Sequence, residues 1–193
     1  MVVKEDYFER CQKIVAVAEG GANFTVVDGK PVLKANARND VGGPTKYGIT
    51  WNTLSRAYSQ DLVSHSDIVL LTKDEANAIY EANYWVPSKS HMMDWGLCLV
   101  HYDCAVNCGI SGAGKQLQRA LVNLGQRIVI DGVIGPASLG AIVAVQNADL
   151  IQAYCDVRVD FYRGIVKAKP SQGVFINGWL RRVETMRTEA SRP

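Results

Sequence analysis

One carboxylate in this sequence sits in a local setting that favours proton donation. Glu19 stands directly before Gly20 and Gly21. The apolar residues leading up to it, Tyr7, Phe8, Cys11, Ile14, Val15 and Ala18, recur at helical spacing and predict a helix over 7–19 that the glycine pair stops. A carboxylate at the C-terminal end of a helix faces the negative end of the macrodipole, and shielding by protein or ligand adds desolvation. Both effects disfavour the charged form and raise the pKa. An acid kept protonated near neutral pH can give its proton to a leaving oxygen. By itself, Glu-Gly-Gly is more commonly the signature of a surface glutamate before an ordinary glycine cap. A second cluster shifts that balance. Asn39-Asp40-Val41-Gly42-Gly43-Pro44-Thr45-Lys46-Tyr47-Gly48-Ile49-Thr50 gathers an acid, two hydroxyls, an aromatic and three glycines in a segment without helical or strand period. A turn between a hairpin and a helix accounts for the glycines and Asp40 but does not require Thr45 and Tyr47. An acid donor, a second carboxylate and a hydroxyl able to position water are the parts needed to hydrolyse an acetal through an oxocarbenium-like transition state.

These residues need elements to position them. Phe24-Thr25-Val26-Val27 and Pro31-Val32-Leu33 flank Asp28-Gly29-Lys30 and predict a hairpin. Thr50 opens a helical stretch through Tyr58, and Thr72 with Glu75 forms a capping box for a helix running to about Trp85, which Pro87 ends. Beyond it the chain reads as helical nearly throughout, with helices over 94–107, from Ser111 to near Gly125, from Pro136, over 149–169 and over 175–187. The residues predict a mainly α protein with a small β-hairpin. The composition shift at 87–94 divides it into regions 1–93 and 94–193, short enough a break for the two to pack as one unit.

Composition narrows the class. The 193 residues carry 48% hydrophobic and 21% charged residues and a net charge of +2, an ordinary globular balance. Residues 1–97 hold ten Lys and Arg against twelve Asp and Glu, whereas 98–193 hold eleven against seven. No block of adjacent like charges occurs, so the C-terminal excess reads as a solvated helix face rather than a nucleic-acid footprint. The five cysteines cannot all pair within the chain and lie in apolar stretches, which favours a reducing site of synthesis. No apolar run approaches the roughly 18 residues of a membrane span. The first six residues show no basic flank with an apolar core, so no conventional signal peptide is expected.

Several other residues allow two readings. Tyr47, Tyr84 and Trp85 could line a saccharide site or pack in the core. Asn107 could orient a ligand amide or serve as a structural amide. His101, Cys104 and Cys108 have helical spacing that could gather soft metal ligands, but no second ligand pair accompanies them, and the expectation is no metal. Asp131-Gly132 and Gly135-Pro136 could shape a binding loop, or a turn and a helix start.

The ordered series Glu19-Gly20-Gly21, the hairpin and Asp40-Val41-Gly42-Gly43-Pro44-Thr45-Lys46-Tyr47-Gly48-Ile49-Thr50 resembles glycoside hydrolase family 108, N-acetylmuramidases of lysozyme-like fold. Tyr84-Trp85 and Asp103-Cys104-Ala105-Val106-Asn107-Cys108-Gly109 resemble the family's later segments. Leu117-Gln118-Arg119-Ala120-Leu121 and Asp131-Gly132-Val133-Ile134-Gly135-Pro136-Ala137-Ser138-Leu139 are similar to its peptidoglycan-binding region. One departure is Ala22, where family members often place an aromatic directly after the glycine pair. The resemblance implies a lysozyme-like fold with the hairpin beside an active-site cleft, and cleavage of the β-1,4 bond between N-acetylmuramic acid and N-acetylglucosamine. It implies Glu19 as the acid, Asp40 and Thr45 as supports for water or the sugar cation, and no cofactor. The expected partner is the peptidoglycan glycan strand, met in the periplasm or cell wall after holin-dependent or secretion-system export, with no nucleic acid and no stable membrane insertion. Two rivals stand beside it: a non-catalytic peptidoglycan-binding module of a secretion or assembly system, and a lytic transglycosylase.

Overall fold

A computed structural model describes residues 7–19, 22–34 and 43–193, and within the first helix the described side chains end at Ala16. Among these residues the structure is mainly α, with eight α-helices and two short antiparallel hairpins. Two compact units are present: the start of the first helix through Cys11 together with Tyr84–Pro193, and Gln12–Asn83.

The unit Gln12–Asn83 contains most of α1 (Phe8–Glu19), which ends on the residue before the glycine pair. Strands β1 (Phe24–Val27) and β2 (Lys30–Leu33) pair from Phe24↔Leu33 to Val27↔Lys30. Asp28 (φ 49°) and Gly29 (φ 73°) join them, a pair of left-handed residues that matches the twist of the strands. Between 43 and 50, where the sequence shows no strand period, a second hairpin forms from β3 (Thr45–Lys46) and β4 (Ile49–Thr50). Two residues per strand are too few to register an alternation. Its turn places Tyr47 at φ 53° beside Gly48 at φ 75°, a conformation that the tyrosine does not advertise. Helix α2 (Trp51–Ser59) is capped by the Thr50 hydroxyl, which accepts from the Thr53 N–H. Helix α3 (Lys73–Tyr80) starts at the Thr72/Glu75 capping box and passes into a π-helical turn, Glu81–Trp85. Val15, Phe24, Ile49, Leu54, Ile68, Leu71 and Ile79 are buried here.

The other unit is organised by α4 (Leu97–Cys108), which is buried on every residue from Leu97 to Ala105. A helix apolar all round must be enclosed, and α5 (Ile110–Asn123), α7 (Asn147–Ala168) and α8 (Ile176–Ala190) all pack on it. The short α6 (Pro136–Val143) packs on α5 and begins at the expected proline. Helix α4 begins three residues later than its periodicity predicts because Gly96 adopts φ 82°. A Cβ there would meet the Ala190 carbonyl oxygen at 2.7 Å. Phe8, Trp85 and Tyr102 form an aromatic triangle with centroids 5.4–6.1 Å apart.

Candidate active site

The local chemistry of the unit Gln12–Asn83 centres on a residue that the sequence reading missed. Asn23 follows the glycine pair by two positions, and its amide bridges the chain to the second hairpin. Its Oδ1 accepts from the Thr45 N–H at 2.7 Å, and its Nδ2 donates to the Gly43 carbonyl at 3.1 Å. Its backbone N–H donates to the Thr45 carbonyl at 3.0 Å, and its own carbonyl accepts from the Lys34 N–H at 2.9 Å. The segment leaving α1 is thereby fastened to both hairpins at once. Four peptide links separate Asn23 from Glu19, a span of at most about 15 Å, so Thr45 is tied within short chain reach of the end of α1. An Asn between glycines and a strand reads only as loop chemistry. The partners that give it this role lie 20 and 22 positions away.

Thr45 is half-buried, and its backbone is committed to Asn23. Its hydroxyl has no hydrogen-bond partner among the described residues. Tyr47 is half-buried in the turn. Its carbonyl accepts from the Tyr80 hydroxyl at 3.1 Å, and the Lys46 ammonium lies 5.6 Å from its ring centre while donating to the Val69 carbonyl at 2.7 Å. Helix α3 therefore fixes the turn that presents Tyr47 beside Thr45. Trp51, also missed by sequence reasoning, follows β4 directly and is 47% exposed, so this hairpin leads into an accessible aromatic face. Glu19 is the last residue of α1. Its side chain and Asp40 lie outside the described residues.

Tyr84, Trp85 and Asn107 belong to the other unit. Tyr84 is half-buried in the π-helical turn. Trp85 is corrected by the structure: at 2% exposure, with Phe8 at 5.6 Å and Tyr102 at 5.4 Å, its indole is a core residue with no face left for a sugar. Asn107 is exposed at the end of α4, and its Oδ1 accepts from the Tyr162 hydroxyl at 2.6 Å, tying α4 to α7. Asp103, one turn earlier, is fully buried and paired with Arg158 at 2.6 Å and Arg182 at 2.8 Å.

His101 is engaged at both ring nitrogens, by the Tyr154 hydroxyl at 2.9 Å and the Ser88 carbonyl at 3.0 Å. Complete burial lowers its pKa to about 4, and the Arg158 charge pushes the same way. It is a neutral packing histidine rather than a ligand beside Cys104 and Cys108. The Asp131-Gly132 segment is a turn. The Gln118 amide holds it: Nε2 donates to Asp131 Oδ1 at 2.8 Å and Oε1 accepts from the Gly132 N–H at 2.7 Å. A Cβ on Gly132 (φ 86°) would meet Ser111 Oγ at 2.6 Å, so close packing against α5 explains this glycine. A cavity of about 490 Å³ lined by Trp95, Asn147, Ile151 and Arg187 belongs to this unit and contains none of the expected site residues.

The description Glycosyl hydrolase 108 matches residues 12–109, just over half of the chain, and Predicted Peptidoglycan domain matches residues 113–184. The chain belongs to glycosyl hydrolase family 108. The family 108 match, the first of the two, contains Glu19, Asp40, Thr45, Tyr47, Tyr84, Trp85 and Asn107. The second contains the Gln118 and Asp131 turn. Among solved structures, the family 108 chain is similar to SagA of Brucella abortus, with 30% identity and a TM-score of 0.71 over 95% of this chain and 92% of that one. No curated protein matches. The fold is therefore lysozyme-like, and the chain is a glycoside hydrolase with a peptidoglycan-binding region.

Proposed function

We propose that this family 108 chain is an N-acetylmuramidase, cleaving the β-1,4 bond between N-acetylmuramic acid and N-acetylglucosamine with Glu19 as general acid. The observation that carries the reading is the end of α1 at Glu19 within the family 108 match, directly before the segment that Asn23 fastens to Thr45. The negative end of the helix dipole opposes ionisation of a carboxylate there, which suits a group that must hold a proton at the pH of the reaction. Thr45 and Asp40 support the attacking water or the developing sugar cation, and Tyr47 offers an aromatic face to the saccharide. Tyr84 and Asn107, in the other unit, are proposed as saccharide contacts from the sequence pattern alone. Residues 1–93 supply catalysis and 94–193 hold the wall polymer, and the peptidoglycan-domain match over residues 113–184 supports the second of these roles. Such work lies in the periplasm or cell wall, reached through a holin or a secretion system. Among the described residues no helix is long and apolar enough to cross a membrane.

Digestion of purified peptidoglycan by the wild type and by Glu19→Gln tests this. The wild type is expected to release new reducing ends, and Glu19→Gln to fold normally and lose at least about 100-fold in rate, the scale of general acid catalysis. An active Glu19→Gln enzyme removes Glu19 from the mechanism. Fragments lighter by one water, carrying a 1,6-anhydro end, would make the chain a lytic transglycosylase. Binding without any release would make it a wall-binding module.

A further inference from the structure

We propose that Cys11 on α1 and Cys98 on α4 are a disulfide site, oxidised to a covalent staple between the two helices once the chain meets a disulfide-bearing oxidant. Their sulfurs lie 3.8 Å apart, 87 positions apart in sequence, and both residues are 0% exposed. A disulfide bond requires the two sulfurs to close that gap to roughly 2 Å. The remaining thiols are placed otherwise. Cys104 and Cys108 share α4 one turn apart, so a bond between them would join no two elements, and Cys155 is buried on α7. The pairing leaves three of the five cysteines as thiols.

The oxidant is the disulfide form of a thiol oxidoreductase, or of glutathione in the test tube. One cysteine thiolate, for instance that of Cys98, attacks a sulfur of the oxidant, expelling one oxidant thiolate and forming a mixed disulfide. The Cys11 thiolate then attacks the Cys98 sulfur, forming the Cys11–Cys98 bond and expelling the second oxidant thiolate. Two protein thiols lose two electrons and two protons, and the oxidant's disulfide is reduced to two thiols. Because both sulfurs are buried, the exchange belongs to folding, before α1 closes over α4, and the finished bond is shielded from reductants. The staple grips α1 about two turns before Glu19 and closes a long loop, which narrows the unfolded ensemble. The inference goes beyond the hydrolase reading and does not depend on it.

The test is to refold the full chain with oxidised and reduced glutathione, or with dithiothreitol, and to alkylate in denaturant. Cleavage before aspartates yields fragments 6–27 and 94–102, which carry Cys11 and Cys98 as their only cysteines. The expected result is three alkylated thiols of five, a linked 6–27/94–102 pair, and a Tm about 5–10 °C above that of the reduced chain. In Cys11→Ala and Cys98→Ala, the Tm is expected to be the same with and without reductant. Should either variant fail to fold, the two redox forms of the wild type decide alone. Five alkylated thiols after oxidative refolding, a link between other fragments, or a linked chain no more stable than the reduced one would overturn the proposal. The thiol count is independent of glycan cleavage, so an inactive but stapled chain would fault the enzyme reading and leave this one standing.

Discussion

Asp103 gives the clearest consequence at the scale of one residue. It is fully buried between Arg158, also fully buried, and Arg182, and each carboxylate oxygen accepts from one guanidinium. A buried ion cluster of this kind adds little net stability over an apolar equivalent, but removing one member strands the others. Asp103→Asn leaves the fully buried Arg158 guanidinium without its carboxylate partner and without access to water. It is expected to cost about 3–5 kcal/mol, read from urea unfolding with the slope unchanged. Trp85 illustrates the opposite limit. Its type suits a sugar platform, but its surroundings make it core, and aromatic type alone does not separate the two.

Elements set what the candidate site can do. The hairpin that carries Thr45 and Tyr47 has two residues per strand, too little pairing to hold itself, and it relies on Asn23 from one side and Tyr80 from the other. Asn23→Ala removes one acceptor and one donor from this seam. The expected loss is about 1–3 kcal/mol of stability, measured by thermal or urea unfolding. A slower digestion of peptidoglycan is expected at a temperature where the variant remains folded. Unchanged digestion would separate the position of Thr45 from the reaction. The capping box at Thr72 works differently, since its two reciprocal hydrogen bonds are local to the start of α3, and Glu75 adds an exposed contact to the Ser64 hydroxyl at 3.3 Å.

Across the whole molecule, stability should carry the imprint of His101. In the folded chain its ring resists protonation down to about pH 4, because it is buried, whereas in the unfolded chain it takes a proton near 6.5. Between those values the unfolded state binds more protons, so stability rises with pH across the window and is fully present above it. The contribution lost on acidification from pH 6.5 to 4 is about 3 kcal/mol. The fall in Tm over that range is expected to be steeper in the wild type than in His101→Gln. Parallel pH profiles of the two proteins would show that the ring does not control acid stability.

Local signals fixed much of this protein before any packing was known. Helical spacing and Gly20-Gly21 locate the end of α1, Asp28-Gly29 the first hairpin, Thr72 with Glu75 the start of α3, and Pro136 the start of α6. Each depends on residues within one or two turns of one another. The candidate chemistry at Glu19, Asp40 and Thr45 was legible by residue type for the same reason. What tertiary structure decided is every role set by a distant partner: Asn23 as the seam of two hairpins, Tyr47 in a left-handed turn, Trp85 and His101 as core, and Cys11 beside Cys98. Side-chain type limits which bonds a residue can make. Only the fold decides which partner is within the few ångströms over which those bonds act.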